Sequence, residues 1–213
     1  MQIHTIPAGP LETNVFLIDN GAGEALIIDA PPGGYEAAMA VAQEKGLAVK
    51  ALLLTHGHFD HVLDTARYQE AGIPVYVHRD SEEMVRDPAS AMPFPMPGIE
   101  LDTLEWGSDD QILEEETTLT LAGLNIQVLN APGHCPGSVI FHVADLKAAF
   151  VGDVIFYRSV GRTDLPGGNG SVLFDSIRTK VFTLPDETLL HPGHGPLTLV
   201  EEEKQFNPYS FYD

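Results

Sequence analysis

The most informative stretch of the sequence is Thr55-His56-Gly57-His58-Phe59-Asp60-His61, which directly follows the apolar run 51–54. A short, continuous apolar run is typical of a buried strand. At its end, three imidazoles and a carboxylate occur within six positions. A turn from extended chain into a helix can aim the first two imidazoles at one point while the carboxylate and the last imidazole face a neighbouring one. The stretch therefore predicts two metal ions rather than one.

Three further candidate ligands follow downstream, each at the end of a predicted strand and each directly preceded by glycine. Glycine lets the backbone turn tightly and approach an ion closely. Imidazole nitrogens and carboxylate oxygens suit zinc, iron or manganese, and three protein ligands with an open position are typical of a catalytic zinc site. The seven candidate metal ligands are His56, His58, Asp60, His61, His134, Asp153 and His194.

The composition indicates a globular protein and excludes several classes of partner. With 44% hydrophobic residues among 213, the chain has enough apolar material for a sizeable core, and we expect one domain over residues 1–213. The net charge of −20, from 31 acidic and 11 basic residues, would repel a nucleic-acid backbone or an anionic membrane. Most of this acidity, including the runs 114–116 and 201–203, is expected to be solvated surface.

The single cysteine, Cys135, excludes an internal disulfide, and the first ten residues lack the basic start and apolar core of a signal peptide. No window approaches the roughly 20 consecutive apolar residues of a membrane span. We therefore expect a soluble cytoplasmic protein, either a monomer or a small homo-oligomer. Because Cys135 follows a candidate ligand in a set that is complete without it, we expect its thiol at the rim of the site.

Strand-like and helix-like segments alternate along the chain in a way that favours two packed sheets with helices outside them, an α+β architecture. The predicted strands are 14–18, 25–29, 51–54, 75–78, 117–121, 126–129, 139–143, 148–151 and 188–190. The predicted helices are 35–44, 61–71 and 172–182. The segment 87–98 holds four prolines and shows no usable period, so we expect a surface loop or flap there.

Four motifs in this order, THGHFDH, APGHCPGS, FVGDVIF and HPGHGPLT, resemble those of the metallo-β-lactamase-fold hydrolases over nearly the whole chain. Within that superfamily, the segments 161–168 and 203–208 resemble the short bacterial relatives of glyoxalase II. The resemblance implies a four-layer αββα sandwich with the site at one edge. It also implies a bridging role for Asp153. It places His56, His58 and His134 on the first metal and Asp60, His61 and His194 on the second.

The resemblance also suggests residues beyond the metal ligands. A basic residue that contacts glutathione in glyoxalase II corresponds to Arg162, whereas an aromatic contact two residues later is Asp164 here. Arginine serves both substrate carboxylates and structural ion pairs, so Arg162 either binds substrate or pairs with an acid such as Asp164. Asp29 resembles a buried acid that supports a metal-binding histidine in this fold. The alternative for Asp29 is a polar strand-end residue that caps a turn.

The expected activity is hydrolysis of a small acyl thioester such as S-lactoylglutathione, with Asp60 and Asp153 as catalytic residues and two divalent ions as cofactors. Zinc is the first choice of metal, with iron or manganese as alternatives. A metal-bridging hydroxide is expected to attack the carbonyl, because metal binding lowers the pKa of water to about 7.

Three other functions are compatible with the sequence. An iron-dependent persulfide dioxygenase shares the fold and a similar Gly-Arg-Thr-Asp segment, and would use the positions of His56, His134 and Asp153. The segment 192–196 fits the hydrolases better. A lactonase or β-lactamase-like hydrolase is a further alternative, since the fold alone does not choose the acyl substrate. A metal-binding protein without catalysis is the last, and open coordination positions argue against it.

Overall fold

The computed structural model describes residues 1–91, 103–114 and 116–210. These residues fall into two compact units, one containing residues up to Glu114 together with Leu121–Gly123, and the other containing the rest. Both units combine strands with helices, as the α+β prediction requires. None of the helices in the described ranges is long and apolar enough to span a membrane. The expectation of a single domain over residues 1–213 stays a prediction.

A mixed sheet forms the centre of the first unit. In the part of the chain that the structure describes, its strands follow the order of the sequence: β1 (Gln2–Ala8), β2 (Thr13–Asp19), β3 (Glu24–Ile28), β4 (Ala48–Leu53), β5 (Val75–His78) and β6 (Gln111–Leu113). The first three strands pair antiparallel, and β3 to β6 pair parallel. Parallel strands end at the same edge, and Ile28 is paired with Leu53. Residues that follow β3 and β4 therefore emerge side by side.

Helices α1 (Gly34–Lys45), α2 (Phe59–Val62), α3 (Thr65–Glu70) and α4 (Glu82–Arg86) complete the first unit. The prediction of one continuous helix over 61–71 is wrong, because the helical conformation breaks off between α2 and α3. At the break, the Asp64 carboxylate accepts a hydrogen bond from the Tyr35 backbone N–H at the start of α1, at 2.9 Å. The Asp64 N–H donates to Ala30 O at 2.9 Å. These bonds outside the helix hold Asp64 in a turn that links α1 to the end of β3.

The second unit is built on another mixed sheet, with the strand order β14-β13-β10-β9-β8-β7 among the described residues. Its strands are β7 (Thr117–Leu121), β8 (Leu124–Asn130), β9 (Val139–Val143), β10 (Ala148–Gly152), β13 (Leu189–Pro192) and β14 (Thr198–Leu199). A two-stranded hairpin, β11 (Ile155–Phe156) and β12 (Ser159–Val160), lies outside this sheet. The strands β10 and β13 are parallel neighbours, with Gly152 opposite Pro192. The residues that follow these two strands therefore share one edge.

Helices of the second unit are α5 (Gly170–Ser176), which continues as a π-helical turn over Ile177–Val181, and α6 (Val200–Phe206). The predicted helix 172–182 begins two residues early because the Asn169 side chain caps it, accepting from the N–H groups of Ser171 and Val172. In the predicted loop 87–98, Pro88–Ala91 form a 3₁₀ turn. Residues 92–98 lie outside the described residues.

Candidate metal centre

The predicted ligands of the first unit lie together just beyond β4. His56, His58, Asp60 and His61 are all buried, with His61 fully so. His58 has extended backbone and directly precedes α2, so the chain turns from strand to helix within the motif. The His56 ring centroid lies 4.9 Å from that of His58 and 4.1 Å from that of His61. The turn thus gathers three imidazoles at one strand end, as the sequence predicts.

One carboxylate, that of Asp29, orients two of these imidazoles. Its Oδ2 accepts from the Thr55 hydroxyl at 2.8 Å and lies 2.8 Å from Nδ1 of His61. The Thr55 Oγ1 also lies 3.0 Å from Nδ1 of His56. Because the only hydroxyl proton of Thr55 goes to Asp29, this oxygen accepts from His56. Both rings therefore carry their proton on Nδ1 and present the Nε2 lone pair, the arrangement that a metal-binding imidazole needs.

The backbone of Asp29 itself is unusual. This residue lies directly after β3 and has a φ of 63°, in the left-handed region that non-glycine residues seldom adopt. Its Oδ1 also accepts from the Thr55 backbone N–H at 2.8 Å. Such conformations persist only where surrounding contacts enforce them, and they concentrate at functional sites. The structure therefore shows Asp29 both at a strand-end turn and in contact with a candidate ligand.

Asp60 is held by a residue that the sequence analysis did not single out. Its Oδ2 accepts from the Thr13 hydroxyl at 3.2 Å, and the same oxygen lies 3.6 Å from Nε2 of His61. Thr13, at the start of β2, is buried. No local pattern links residues 13 and 60, since the pairing of β2 with β3 and of β3 with β4 brings them together. This contact could not be read from the sequence.

The second unit carries the other three predicted ligands. Asp153 follows β10 and His194 lies two residues beyond β13, so the parallel pair delivers both to one edge. His134 comes from the loop between β8 and β9. The Asp153 Oδ2 lies 3.6 Å from Nε2 of His134 and 3.6 Å from Nε2 of His194. Both separations are too long for hydrogen bonds, and they suit donor atoms that share cations.

The segment after β12 positions two of these ligands. The Arg162 carbonyl lies 2.8 Å from Nδ1 of His134 and accepts from it, which leaves the lone pair on Nε2. A Cβ added to Gly161 would lie 1.9 Å from the Asp153 carbonyl oxygen and 3.1 Å from His134 Nδ1. Only glycine therefore allows this segment to approach both ligands. Gly133 allows a close approach between the His134 loop and α5, since a Cβ there would lie 2.2 Å from the Leu173 backbone nitrogen.

Arg162 and Asp164 form the ion pair that the sequence analysis offered as one of two readings. Arg162 Nε donates to Asp164 Oδ1 at 2.7 Å and Nη2 donates to Oδ2 at 2.8 Å. This hydrogen-bonded pairing lowers the pKa of Asp164 to about 2 and raises that of Arg162. Both side chains are exposed.

Two expectations about single side chains are wrong. Cys135 is not at a rim: it is fully buried, with its Sγ 3.2 Å from the Ser138 hydroxyl oxygen. Glu203 is not solvated surface, because it is also fully buried and accepts hydrogen bonds from Thr198, Arg158 and Asn207. In both cases the surrounding loop or helix, rather than the residue type, sets the exposure.

Each unit thus carries a set of nitrogen and oxygen donors whose chemistry fits zinc, iron or manganese. A protein-family model described as the Metallo-beta-lactamase superfamily matches residues 8–194. This chain belongs to the metallo-β-lactamase superfamily. The match includes all seven predicted ligands, and the predicted family and fold class are confirmed. At the level of the superfamily, the protein is a metal-dependent hydrolase.

Known proteins of this superfamily resemble the chain over nearly its full length. The hydroxyacylglutathione hydrolase GloC of Haemophilus influenzae is 36% identical over 212 residues, covering 98% of each chain. The crystal structure of BLEG-1 B3 metallo-β-lactamase is 36% identical with a TM-score of 0.89, and covers 99% of this chain and 100% of that one. TTHA1623 in a di-iron-bound form is 35% identical with a TM-score of 0.76, and covers 97% of this chain and 99% of that one.

Proposed function

We propose that this metallo-β-lactamase-superfamily chain hydrolyses small acyl thioesters of the S-lactoylglutathione type with two divalent ions. The observation that carries the proposal is the position of Asp153 Oδ2, 3.6 Å from Nε2 of His134 and 3.6 Å from Nε2 of His194. Donor atoms that share one ion lie roughly 3 to 4 Å apart, so this oxygen would be able to share one ion with His134 and another with His194.

Following the family pattern, the seven ligands divide into two groups. The first ion would take His56, His58 and His134, the second Asp60, His61 and His194, and Asp153 would serve both. Zinc is the first choice of metal, and the di-iron form of a relative at 35% identity supports iron as the main alternative. When bound, the ions would polarise the acyl carbonyl and lower the pKa of water enough to supply a nucleophile at neutral pH.

The chain's own residues prepare this chemistry. Asp29 and Thr55 fix the Nδ1-protonated form of two imidazoles, and the Arg162 carbonyl does the same for His134. The Thr13 hydroxyl donates a hydrogen bond to the Asp60 carboxylate. A carboxylate that accepts in this way is better suited to bind a metal ion than to donate a proton. A thiolate with a conjugate-acid pKa of about 8.5 leaves without help from an acid. The Arg162 side chain would bind a substrate carboxylate.

The choice of a thioester is supported by the relative named as a hydroxyacylglutathione hydrolase, at 36% identity over 98% of both chains. A second candidate is β-lactam hydrolysis, which the likeness to BLEG-1 B3 metallo-β-lactamase supports at the same identity. Both substrates present an activated acyl carbon to the same ligand set. The net charge of −20 argues against a nucleic-acid substrate.

Purified protein loaded separately with zinc, iron or manganese is assayed on S-D-lactoylglutathione and on a β-lactam, beside a chelator-stripped sample. Thioester turnover that disappears on stripping supports the proposal. Turnover of the β-lactam alone supports the second candidate, and oxygen uptake with glutathione persulfide by the iron-loaded form supports a dioxygenase. Two outcomes would overturn the metal assignment: retained activity, or full metal content, in Asp153→Ala or His58→Ala. His4→Ala, on β1, controls for the loss of a histidine.

A further inference from the structure

The guanidinium of Arg162 is occupied by a carboxylate from its own chain. Nε and Nη2 each donate to a different oxygen of Asp164, at 2.7 and 2.8 Å. This two-point pairing is the geometry that arginine offers to any carboxylate ligand. A substrate carboxylate that binds Arg162 through the same edge would therefore meet Asp164 already in place.

The Arg162–Asp164 pair lies next to a candidate metal ligand, so competition for Arg162 takes place beside the candidate metal centre. The Arg162 carbonyl accepts from Nδ1 of His134, so the backbone that carries the guanidinium is fixed beside a candidate metal ligand. The side chains themselves face solvent, with 58% of Arg162 and 68% of Asp164 exposed. A dissolved ligand can therefore reach the pair without any opening of the core.

We propose that Asp164 is a specificity-determining residue, an internal carboxylate that a carboxylate-bearing acyl substrate must displace from Arg162. The inference rests on the proposed function, in which Arg162 binds substrate. Asp164 weakens the binding of anionic substrates to the extent that it competes with them for the guanidinium. The binding of neutral substrates is unaffected. An exposed pair contributes little, so the penalty that Asp164 imposes is about two- to fivefold in affinity.

The obvious alternative is that Asp164 only fixes the loop that carries Arg162 to His134. The two roles differ in what a variant changes. If Asp164 only fixes the loop, its substitution lowers kcat for every substrate, because the substitution disturbs His134. If Asp164 competes with substrate, its substitution lowers KM for anionic substrates alone, and this effect vanishes when Arg162 is absent. A double-mutant cycle of Asp164→Asn and Arg162→Gln separates them.

The kinetic test compares S-D-lactoylglutathione with an uncharged lactoyl thioester of N-acetylcysteamine. We expect Asp164→Asn to lower KM for the first by about two- to fivefold and to leave both parameters for the second unchanged. In an Arg162→Gln background, the same substitution should have no effect. Asp175→Asn is the matched control, since Asp175 forms a similarly exposed pair with Arg178 at 2.6 Å. Equal KM changes for both substrates, or a fall in kcat for the neutral one, would overturn the proposal.

A binding measurement keeps this inference separate from the proposed activity. S-methylglutathione cannot be hydrolysed as a thioester, and its Kd is measured by following the Arg162 Nε–Hε resonance. Tighter binding by Asp164→Asn supports the competing role even where no thioester is turned over, an outcome that would sink only the proposed function. Unchanged binding by both Asp164→Asn and Asp164→Ser would refute the role of Asp164. Circular dichroism establishes that both variants are folded.

Discussion

The carboxylate of Glu203, on α6, is fully buried and pairs with Arg158 in the turn between β11 and β12. Arg158 Nη1 lies 3.2 Å from Glu203 Oε1, and the Arg158 backbone N–H donates to Oε2 at 3.0 Å. The same carboxylate accepts from Thr198 at 2.6 Å and from Asn207 at 2.7 Å. This network ties α6 to the hairpin whose last strand leads directly to Gly161 and the Arg162 carbonyl. The network thus connects Glu203 to the segment whose carbonyl accepts from His134.

Replacement of Glu203 by alanine is expected to lower the free energy of unfolding by roughly 3 kcal/mol, because it leaves a cation, a hydroxyl and an amide without their buried acceptor. Chemical denaturation followed by circular dichroism measures the change. Glu201→Ala, at an exposed position on the same helix, is the matched control and should cost less than about 0.5 kcal/mol. Equal stability of the two variants would show that the network does not stabilise the unit.

Thr55 offers a prediction for metal affinity. Thr55→Val keeps the shape of the side chain but removes the hydroxyl that joins Asp29 to His56. Loss of an outer contact of this kind typically weakens metal binding about 10- to 100-fold. Competition with a chromogenic chelator measures the affinity. Thr55→Ser keeps the hydroxyl and should stay within about threefold of the wild type. If valine and serine variants bind metal equally well, the hydroxyl does not orient the ring.

Gly161 gives a purely steric prediction. In Gly161→Ala the new Cβ would lie 1.9 Å from the Asp153 carbonyl oxygen, so the segment must move away from both Asp153 and His134. We expect a loss of at least tenfold in metal affinity together with lower stability, measured by metal titration and thermal unfolding. Gly170→Ala is the control, because its Cβ would meet only the Thr163 hydroxyl oxygen at 3.5 Å. Normal metal binding by the Gly161 variant would contradict the close approach.

What the sequence could predict follows from how local each signal is. The ligand motif, the strand before it and the glycines beside the downstream ligands are local patterns, and the structure places the ligands in the segments that follow β4, β8, β10 and β13. Thr13 and Glu203 were missed because their partners lie 47 and 45 residues away, where no spacing rule applies. The break between α2 and α3 was missed for a similar reason. The Asp64 carboxylate accepts a hydrogen bond from the backbone N–H of Tyr35, which lies outside the predicted helix 61–71.

The buried side chain of His191 is expected to make the stability of the protein depend on pH. It is buried on β13 and stacks on Phe150, with ring centroids 4.8 Å apart. Burial lowers the pKa of His191 to about 4, against 6.5 for an exposed imidazole. Between these values the unfolded chain binds a proton that the folded chain does not. The contribution of His191 to stability is therefore complete above about pH 6.5 and falls by roughly 3 kcal/mol as the pH falls towards 4.

Urea unfolding at several pH values, with chelator present so that metal release does not contribute, measures this loss. His191→Asn removes the titrating group and should flatten the dependence between pH 6.5 and 4. Some slope will remain, because burial also lowers the pKa of His78 and of His142. An unchanged slope in His191→Asn would mean that His191 is protonated in the folded state, and the stacking on Phe150 would then have to accommodate a buried cation.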